Sequence, residues 1–313
     1  MRPFRFLAEA GTIVDGKTLA ERARHAESIG IDVLTVTDHL LEQLAPIPAL
    51  AVIAAATERL RISGFVFNND LRHPAVVAQD FASLDVLSGG RFEVALGAGW
   101  NQPEYDAIGM PFEPVGVRVS RLEEAIAVFK GLFAEGPFSF AGTHYAITDM
   151  DGQPKPVQRP HPPFMIGGGG RRTLSIAGRE ANIVSLAPRI LGEQRGDPRS
   201  ITWAATEEKL GWVREAAGDR YDELEFNVYP SQWPIVITDE LHGEARKVIE
   251  RVKSRTGVEL TEDEVIQSPN IFIGSVDRFV EKFEELREGL GVSSFMVGEI
   301  DELAPVVERL SGT

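Results

Sequence analysis

The stretch Phe164-Met165-Ile166-Gly167-Gly168-Gly169-Gly170-Arg171-Arg172-Thr173-Leu174-Ser175-Ile176-Ala177-Gly178 decides how the chain is read. Three bulky apolar residues predict a short buried strand, the glycines turn the chain, and a helix opens at Arg171. A strand followed at once by a helix is the repeating half of a parallel sheet. The same pattern recurs upstream, where strands at 4–10, 33–37, 62–67 and 92–96 alternate with helices at 17–28, 46–59, 73–87 and 119–133. The last of these helices carries Ser120-Arg121-Leu122-Glu123, a capping-box spacing, at its start. Downstream, strands at 183–186, 226–229 and 294–297 alternate with helices at 207–217, 241–255, 276–288 and 303–310. Several of these strands are continuously apolar, which predicts parallel strands buried on both faces. The expected fold class is therefore α/β, a (β/α)8 TIM barrel as a single domain over residues 1–313, with a doubly wound sheet as the alternative. Two longer segments, the Gly/Pro-rich 135–163 with a hairpin pattern at 138–145 and the polar 188–205, read as insertions at the C-terminal face.

Composition narrows the chemistry. The chain has 313 residues, 43% of them hydrophobic and 25% charged, and no cysteine. Disulfides, thiolate zinc sites, iron–sulfur clusters and thiol nucleophiles are excluded, and a cytoplasmic setting fits. No apolar run reaches membrane-spanning length, and Met1–Phe6 lacks the apolar core of a secretory signal. The net charge of −15 argues against nucleic acid or an anionic membrane as partner. Residues 201–313 hold 24 acids and 12 bases, which reads as solvated helix faces, so an anion site is expected earlier in the chain. The histidines His25, His39, His73, His144, His161 and His242 show no metal-ligand spacing.

In a parallel barrel the chemistry sits at the C-terminal ends of the strands. Those ends carry Glu9; Asp38 and His39; Asn68, Asn69, Asp70, Arg72 and His73; Gly97, Ala98, Gly99, Trp100 and Asn101; Gly167, Gly168, Gly169, Gly170, Arg171 and Arg172; Pro188 and Arg189; and Ser231, Gln232 and Trp233. A glycine turn opening a helix with two arginines offers backbone N–H groups, a helix N-terminus and guanidinium forks, which together suit a phosphate. Asp38 and His39 read as an oriented acid–base pair, or as an inert hydrogen-bonded strand end. Asn68 and Asn69 offer amides to a polar heterocycle, or serve turn chemistry. Gly97-Ala98-Gly99 lacks the dinucleotide fingerprint and reads either as room for a flat ring or as close packing.

Several stretches resemble the bacterial luciferase-like superfamily, in particular its branch using the deazaflavin coenzyme F420. They are Thr37-Asp38-His39, Ser88-Gly89-Gly90-Arg91 running through Phe92–Trp100, Pro156–Pro163 leading into Ile166–Gly169, and Ala216-Ala217-Gly218-Asp219-Arg220. The resemblance implies a (β/α)8 barrel, a flavin-type ring backed by a bulge near Phe67–Asn69, a phosphate near Gly167–Arg171, and His39 at the reactive face. It implies an oxidoreductase moving a hydride between coenzyme F420 and a small organic substrate, with a homodimer as the assembly. An FMN-dependent monooxygenase is the alternative, and a redox-inert flavin-binding protein a further one. A basic rim of Arg72, Lys155, Arg171, Arg172 and Arg189 would favour the acidic deazaflavin tail. Sugar-phosphate dehydrogenases of that branch carry Gly-Thr-Gly-Glu after strand four. Here Ala98 and Trp100 replace the threonine and the glutamate, and Glu104 falls off that register. This speaks against a sugar phosphate and for a flatter, apolar substrate.

Overall fold

The computed structural model describes residues 1–313 apart from 12, 192–194 and 231–232, so Ser231 and Gln232, expected at a strand end, lie outside the described residues. Parallel strands β1 (Arg5–Glu9), β2 (Val33–Val36), β3 (Arg61–Gly64), β4 (Phe92–Gly97), β5 (Phe164–Gly168), β6 (Ile183–Leu186), β7 (Glu225–Val228) and β8 (Val292–Glu299) alternate with helices along the chain. The helices are α1 (Gly16–Ser28), α2 (Pro46–Ala56), α3 (Pro74–Leu87), α4 (Gln102–Ala107), α5 (Val115–Phe133), α6 (Arg171–Glu180), α7 (Trp203–Ala217), α8 (Leu241–Thr256), α9 (Glu262–Ile266), α10 (Val276–Leu290) and α11 (Ala304–Leu310). This is the (β/α)8 barrel class. No helix among the described residues is long and apolar enough to cross a membrane.

The chain divides into two compact units, with the boundary inside β5. Unit one comprises Met1–Glu9, Ser28–Ile31 and Gly167–Thr313. Its strands pair in the order β1–β8–β7–β6, with Phe6 opposite Phe295. The rings of Phe283 on α10 and Phe295 on β8 stack with centroids 4.0 Å apart, and Phe6 tilts against both. A second apolar cluster, built on Ala245, Val252, Val265 and Ile271, lies under α8 and α9. Beside it Lys282 is buried, its Nζ donating to the carbonyls of Ile266 at 3.0 Å and Ile271 at 2.5 Å.

Burial pushes the Lys282 ammonium down to about 7 from an ordinary 10.5; Arg278 lowers it further and Glu285 opposes. The unfolded chain therefore holds a proton that the folded one has shed between those two pH values. The Lys282 contribution to stability must rise as pH climbs through that window. Urea midpoints at about pH 7 and about pH 10 should show this rise in the wild type and a smaller one in Lys282→Met. Equal rises in both would discard the assignment.

Unit two comprises Ala10–Glu27 and Asp32–Ile166, with strands in the order β2–β3–β4–β5. Its core is aromatic. Phe67 and Phe81 approach to 4.6 Å between centroids, Phe81 stacks on Phe129 at 5.5 Å, and Phe164 tilts against Phe129 and Phe133. The predicted strand 62–67 is two pieces: β3 stops at Gly64, the Phe65–Val66 peptide is cis, and Phe67–Asn68 pairs with Leu96 and Gly97. The predicted helix start also moves. Helix α5 begins at Val115 behind an extended Pro114, so Ser120 lies inside the helix and the capping box expected there does not form. Proline fixes φ and sets the entry ahead of any serine cap.

The Ser-Gly-Gly-Arg and Pro-Val-Gln stretches meet at the N-terminal end of β4. Arg91 donates to the carbonyls of Ser88, Leu60 and Ala54 and to the Thr57 hydroxyl. Asp85, fully buried on α3, accepts from the backbone of Val157 at 2.6 Å and of Gln158 at 3.0 Å. It also accepts from the Gln158 side chain at 2.6 Å, and that amide reaches the Phe92 carbonyl and the Arg61 guanidinium as well. The hairpin Phe138–Ala141/Ala146–Met150 is fastened to α5 by Glu124, which accepts from the backbone of Thr143, His144 and Tyr145 at 2.7, 2.8 and 3.1 Å.

Candidate active site

In unit two the chain runs off β2, β3 and β4 into three loops that hold most of the candidate residues. His39 follows β2 and is partly exposed, with 24% of its side chain accessible. Its Nδ1 lies 2.9 and 3.0 Å from the two carboxylate oxygens of Glu104, which is only 4% exposed. An ionised carboxylate only accepts, so Nδ1 carries the proton and Nε2 is left to meet a ligand. The Trp100 ring stands edge-on to the imidazole at 5.6 Å between centroids and is 43% exposed, which gives His39 an apolar wall.

The carboxylate that orients His39 therefore comes from Glu104, and Asp38, its sequence neighbour, does other work. Asp38 is buried and takes a two-pronged grip from Arg72 at 2.7 and 2.8 Å, and it accepts from the Asn68 backbone at 3.0 Å. Asp38 is 4% exposed, whereas His39 turns outward with 24% of its side chain accessible. The bond to Asp38, against the cost of burial, holds the Arg72 guanidinium above its ordinary range. Glu104 falls off the family register because it stands on the short helix α4. Its signals were Pro103 in the first turn and the acid beside it, both favoured at a helix start.

Asn68 serves the turn. Its side-chain oxygen accepts from the Asp70 backbone at 3.1 Å and from the Tyr105 hydroxyl at 3.1 Å. Tyr105 also reaches Asp70 at 3.2 Å, and Asp70 is paired with Arg121 at 2.8 Å. Burial, with Asp70 adding to it against the Asn68 bond, pushes the Tyr105 hydroxyl up to about 12, so it remains a donor. Asn69 is buried, and its amide lies 3.4 Å from the Tyr145 hydroxyl on the hairpin. His73 caps α3 through Nδ1 and meets Tyr145 edge-on.

Packing accounts for two of the glycines. A Cβ on Gly97 would stand 2.7 Å from Val66, and one on Gly99, at φ +75°, would stand 2.0 Å from the Tyr105 hydroxyl. The Ala98 and Gly99 carbonyls accept from the buried Arg118, which stacks on Phe112 at 4.0 Å.

In unit one the glycine turn joins β5 to α6. A Cβ on Gly168 would meet Thr173 at 2.6 Å, and one on Gly169 would meet the Pro188 carbonyl oxygen at 2.5 Å. A Cβ on Gly170 would meet nothing within 4 Å. Gly170 caps α6 in an extended conformation and has no side chain to satisfy the first N–H groups of the helix. A helix N-terminus capped by glycine, with room for a Cβ at Gly170, is compatible with a phosphate there. The cations expected to form a rim are engaged separately: Arg72 by Asp38, Lys155 by Asp151, Arg171 by Glu215, and Arg189 by Glu208 at 3.9 Å and the Trp212 ring. Among the described residues no three His, Cys, Asp or Glu side chains are grouped to hold a metal.

Residues 2–196 match the family described as luciferase-like monooxygenase. Over 127 residues the chain is 37% identical to the FMNH(2)-dependent dimethylsulfone monooxygenase of Pseudomonas putida, covering 41% of this chain and 35% of that protein. Over 164 residues it is 34% identical to the F420-dependent glucose-6-phosphate dehydrogenase of Microbacterium testaceum, covering 50% and 48%. The matches thus span between a third and a half of the length of these relatives. Among solved structures, the coenzyme F420-dependent tetrahydromethanopterin reductase of Methanopyrus kandleri superposes with a TM-score of 0.77 at 21% identity, over 99% of this chain and 98% of that one. At that identity the likeness establishes the barrel fold.

Proposed function

The chain belongs to the luciferase-like monooxygenase family, and from that premise we propose that it is an oxidoreductase transferring a hydride between coenzyme F420 and a small organic substrate. The observation that carries this reading is the His39–Glu104 pair, an imidazole fixed by a buried carboxylate and open on its other nitrogen. Hydride transfer to or from an oxygen-bearing carbon needs one proton moved in the same turnover, and a positioned histidine suits that task. When bound, the deazaflavin would supply the carbon that gives or takes the hydride. Glu104 holds the imidazole in one tautomer, Nε2 exchanges the proton with a substrate oxygen, and Trp100 keeps water from that face. Within unit two the strand ends around Asn69, Ala98 and Gly99 are the candidates for holding a ring; within unit one Gly167–Arg171 is the candidate for holding a phosphate. The exposed apolar edge of Trp100 favours an uncharged, flat or apolar substrate over a sugar phosphate.

FMN remains the second reading, favoured by the 37% identity to an FMNH(2)-dependent relative. The paired state of the basic side chains removes one argument for the acidic deazaflavin tail, so the choice rests on the proton pair. Fluorescence titration of the purified protein with both cofactors at physiological salt separates them. Tighter binding of coenzyme F420 is expected; tighter binding of FMN would move the enzyme to the monooxygenase reading.

A further inference from the structure

We infer that Lys209 is a positioning residue for the anionic end of the cofactor, holding the segment that backs the glycine turn and placing a buried positive charge beneath it. The inference rests on the reading of Gly167–Arg171 as the phosphate seat. Lys209 lies on α7 and is 1% exposed. Its Nζ donates to the Ala187 carbonyl at 2.8 Å and the Ser200 carbonyl at 2.7 Å. Ala187 is the first residue after β6, and its N–H is bonded to the Gly168 carbonyl at 3.0 Å. The next residue, Pro188, presents the carbonyl against which Gly169 is packed too closely for any side chain. The same segment is tied to Ser200 again, whose hydroxyl accepts from the Arg189 backbone at 2.7 Å. One ammonium therefore ties Ala187, bonded to the glycine turn, to Ser200.

A bridge between two carbonyls needs only neutral donors, and burying an ammonium for that purpose is costly. Lys282 bridges two carbonyls in the same way, so burial alone does not point to an anion; what sets Lys209 apart is that the Ala187 it holds is bonded to Gly168, and a charge in a poorly solvated position there acts on a phosphate in the turn. Both hydrogen-bond partners of Nζ are uncharged carbonyls, so the positive charge is not cancelled by direct contact. The charged groups around it are Arg189, which opposes protonation, and Asp197 and Glu208, which favour it. Burial lowers the Lys209 ammonium to about 8, so the charge fades in mildly alkaline solution.

The test compares ligands that differ in the phosphate. FMN against riboflavin, and coenzyme F420 against the same deazaflavin without its phosphate tail, are titrated by fluorescence. The proteins are the wild type, Lys209→Gln, which keeps a donor for the carbonyls, and Gly170→Val, which fills the space before the α6 N-terminus. Lys209→Gln should weaken the phosphate-bearing ligand about tenfold and its phosphate-free counterpart by less than about twofold. The wild-type preference for the phosphate should shrink between about pH 7 and about pH 9.5, and the Lys209→Gln preference should stay flat over that range. A support of the fold alone would weaken both ligands equally, and that result overturns the inference. If Gly170→Val abolishes the phosphate preference and Lys209→Gln preserves it, only the role of Lys209 falls. If Gly170→Val preserves it, the phosphate seat lies elsewhere and the role of Lys209 falls with it.

Discussion

Replacing His39 by alanine lowers turnover about 10²–10⁴-fold while the cofactor binds nearly as before. The expectation follows from where the ring stands. Its Nδ1 is consumed by Glu104, and the Trp100 ring stands edge-on to it. Losing it removes a proton carrier and leaves the loops off β3 and β4 intact. Glu104→Gln should separate orientation from charge. A glutamine can still accept from Nδ1–H through its carbonyl oxygen, so a loss smaller than for His39→Ala, with a displaced pH profile, marks Glu104 as a positioning residue. The measurement is kcat with cofactor affinity over about pH 5–9, on the first carbonyl or alcohol that changes the cofactor absorbance. A loss below about tenfold with an unmoved pH profile would take His39 out of the mechanism. Parallel losses of binding and turnover would make it a wall of the pocket.

Asp85→Ala should be strongly destabilising, because the residue is fully buried on α3. Its carboxylate takes three hydrogen bonds from the 157–158 segment. Bonds to a charged acceptor contribute about 1.5–3 kcal/mol each, and relief of the buried carboxylate's own desolvation offsets part of their sum, so a net loss of about 3–4 kcal/mol is expected. For a chain of this size that corresponds to roughly 10 °C in Tm. Asp85→Asn keeps acceptor oxygen for one or two of the bonds and should lose less. Calorimetry of the three proteins checks it; a drop of under about 2 °C for Asp85→Ala would show the segment held by other contacts.

These two residues mark the limits of sequence reading here. The strands were legible because apolar runs buried on both faces leave little else to fold into: the residues of β2 and β6 are all buried. The long-range pairings were not legible. Asp38 stands beside His39 in sequence, yet its bonds go to Arg72 and Asn68, and the partner of His39 comes from α4, 65 positions away. Neighbours in an irregular segment follow no side-chain period, and a six-residue helix carries too little periodicity to announce itself. Ser120 offered a good local cap, but Pro114 had already set the entry to α5. The family stretch around Ser88–Arg91 is conspicuous for a structural reason: Arg91 ties four groups together at the end of β4 opposite the candidate chemistry.

The placement of the unit boundary inside β5 bears on how such a protein can change over generations. The residues assigned to proton handling, His39, Trp100 and Glu104, are all written before that point. The glycine turn and Lys209, assigned to anchoring the tail, are all written after it. A genetic crossover within the codons of β5 would pass one trait on without the other. Lineages could then exchange the anchor of the tail while the reacting pair and the residues assigned to the ring pass on together.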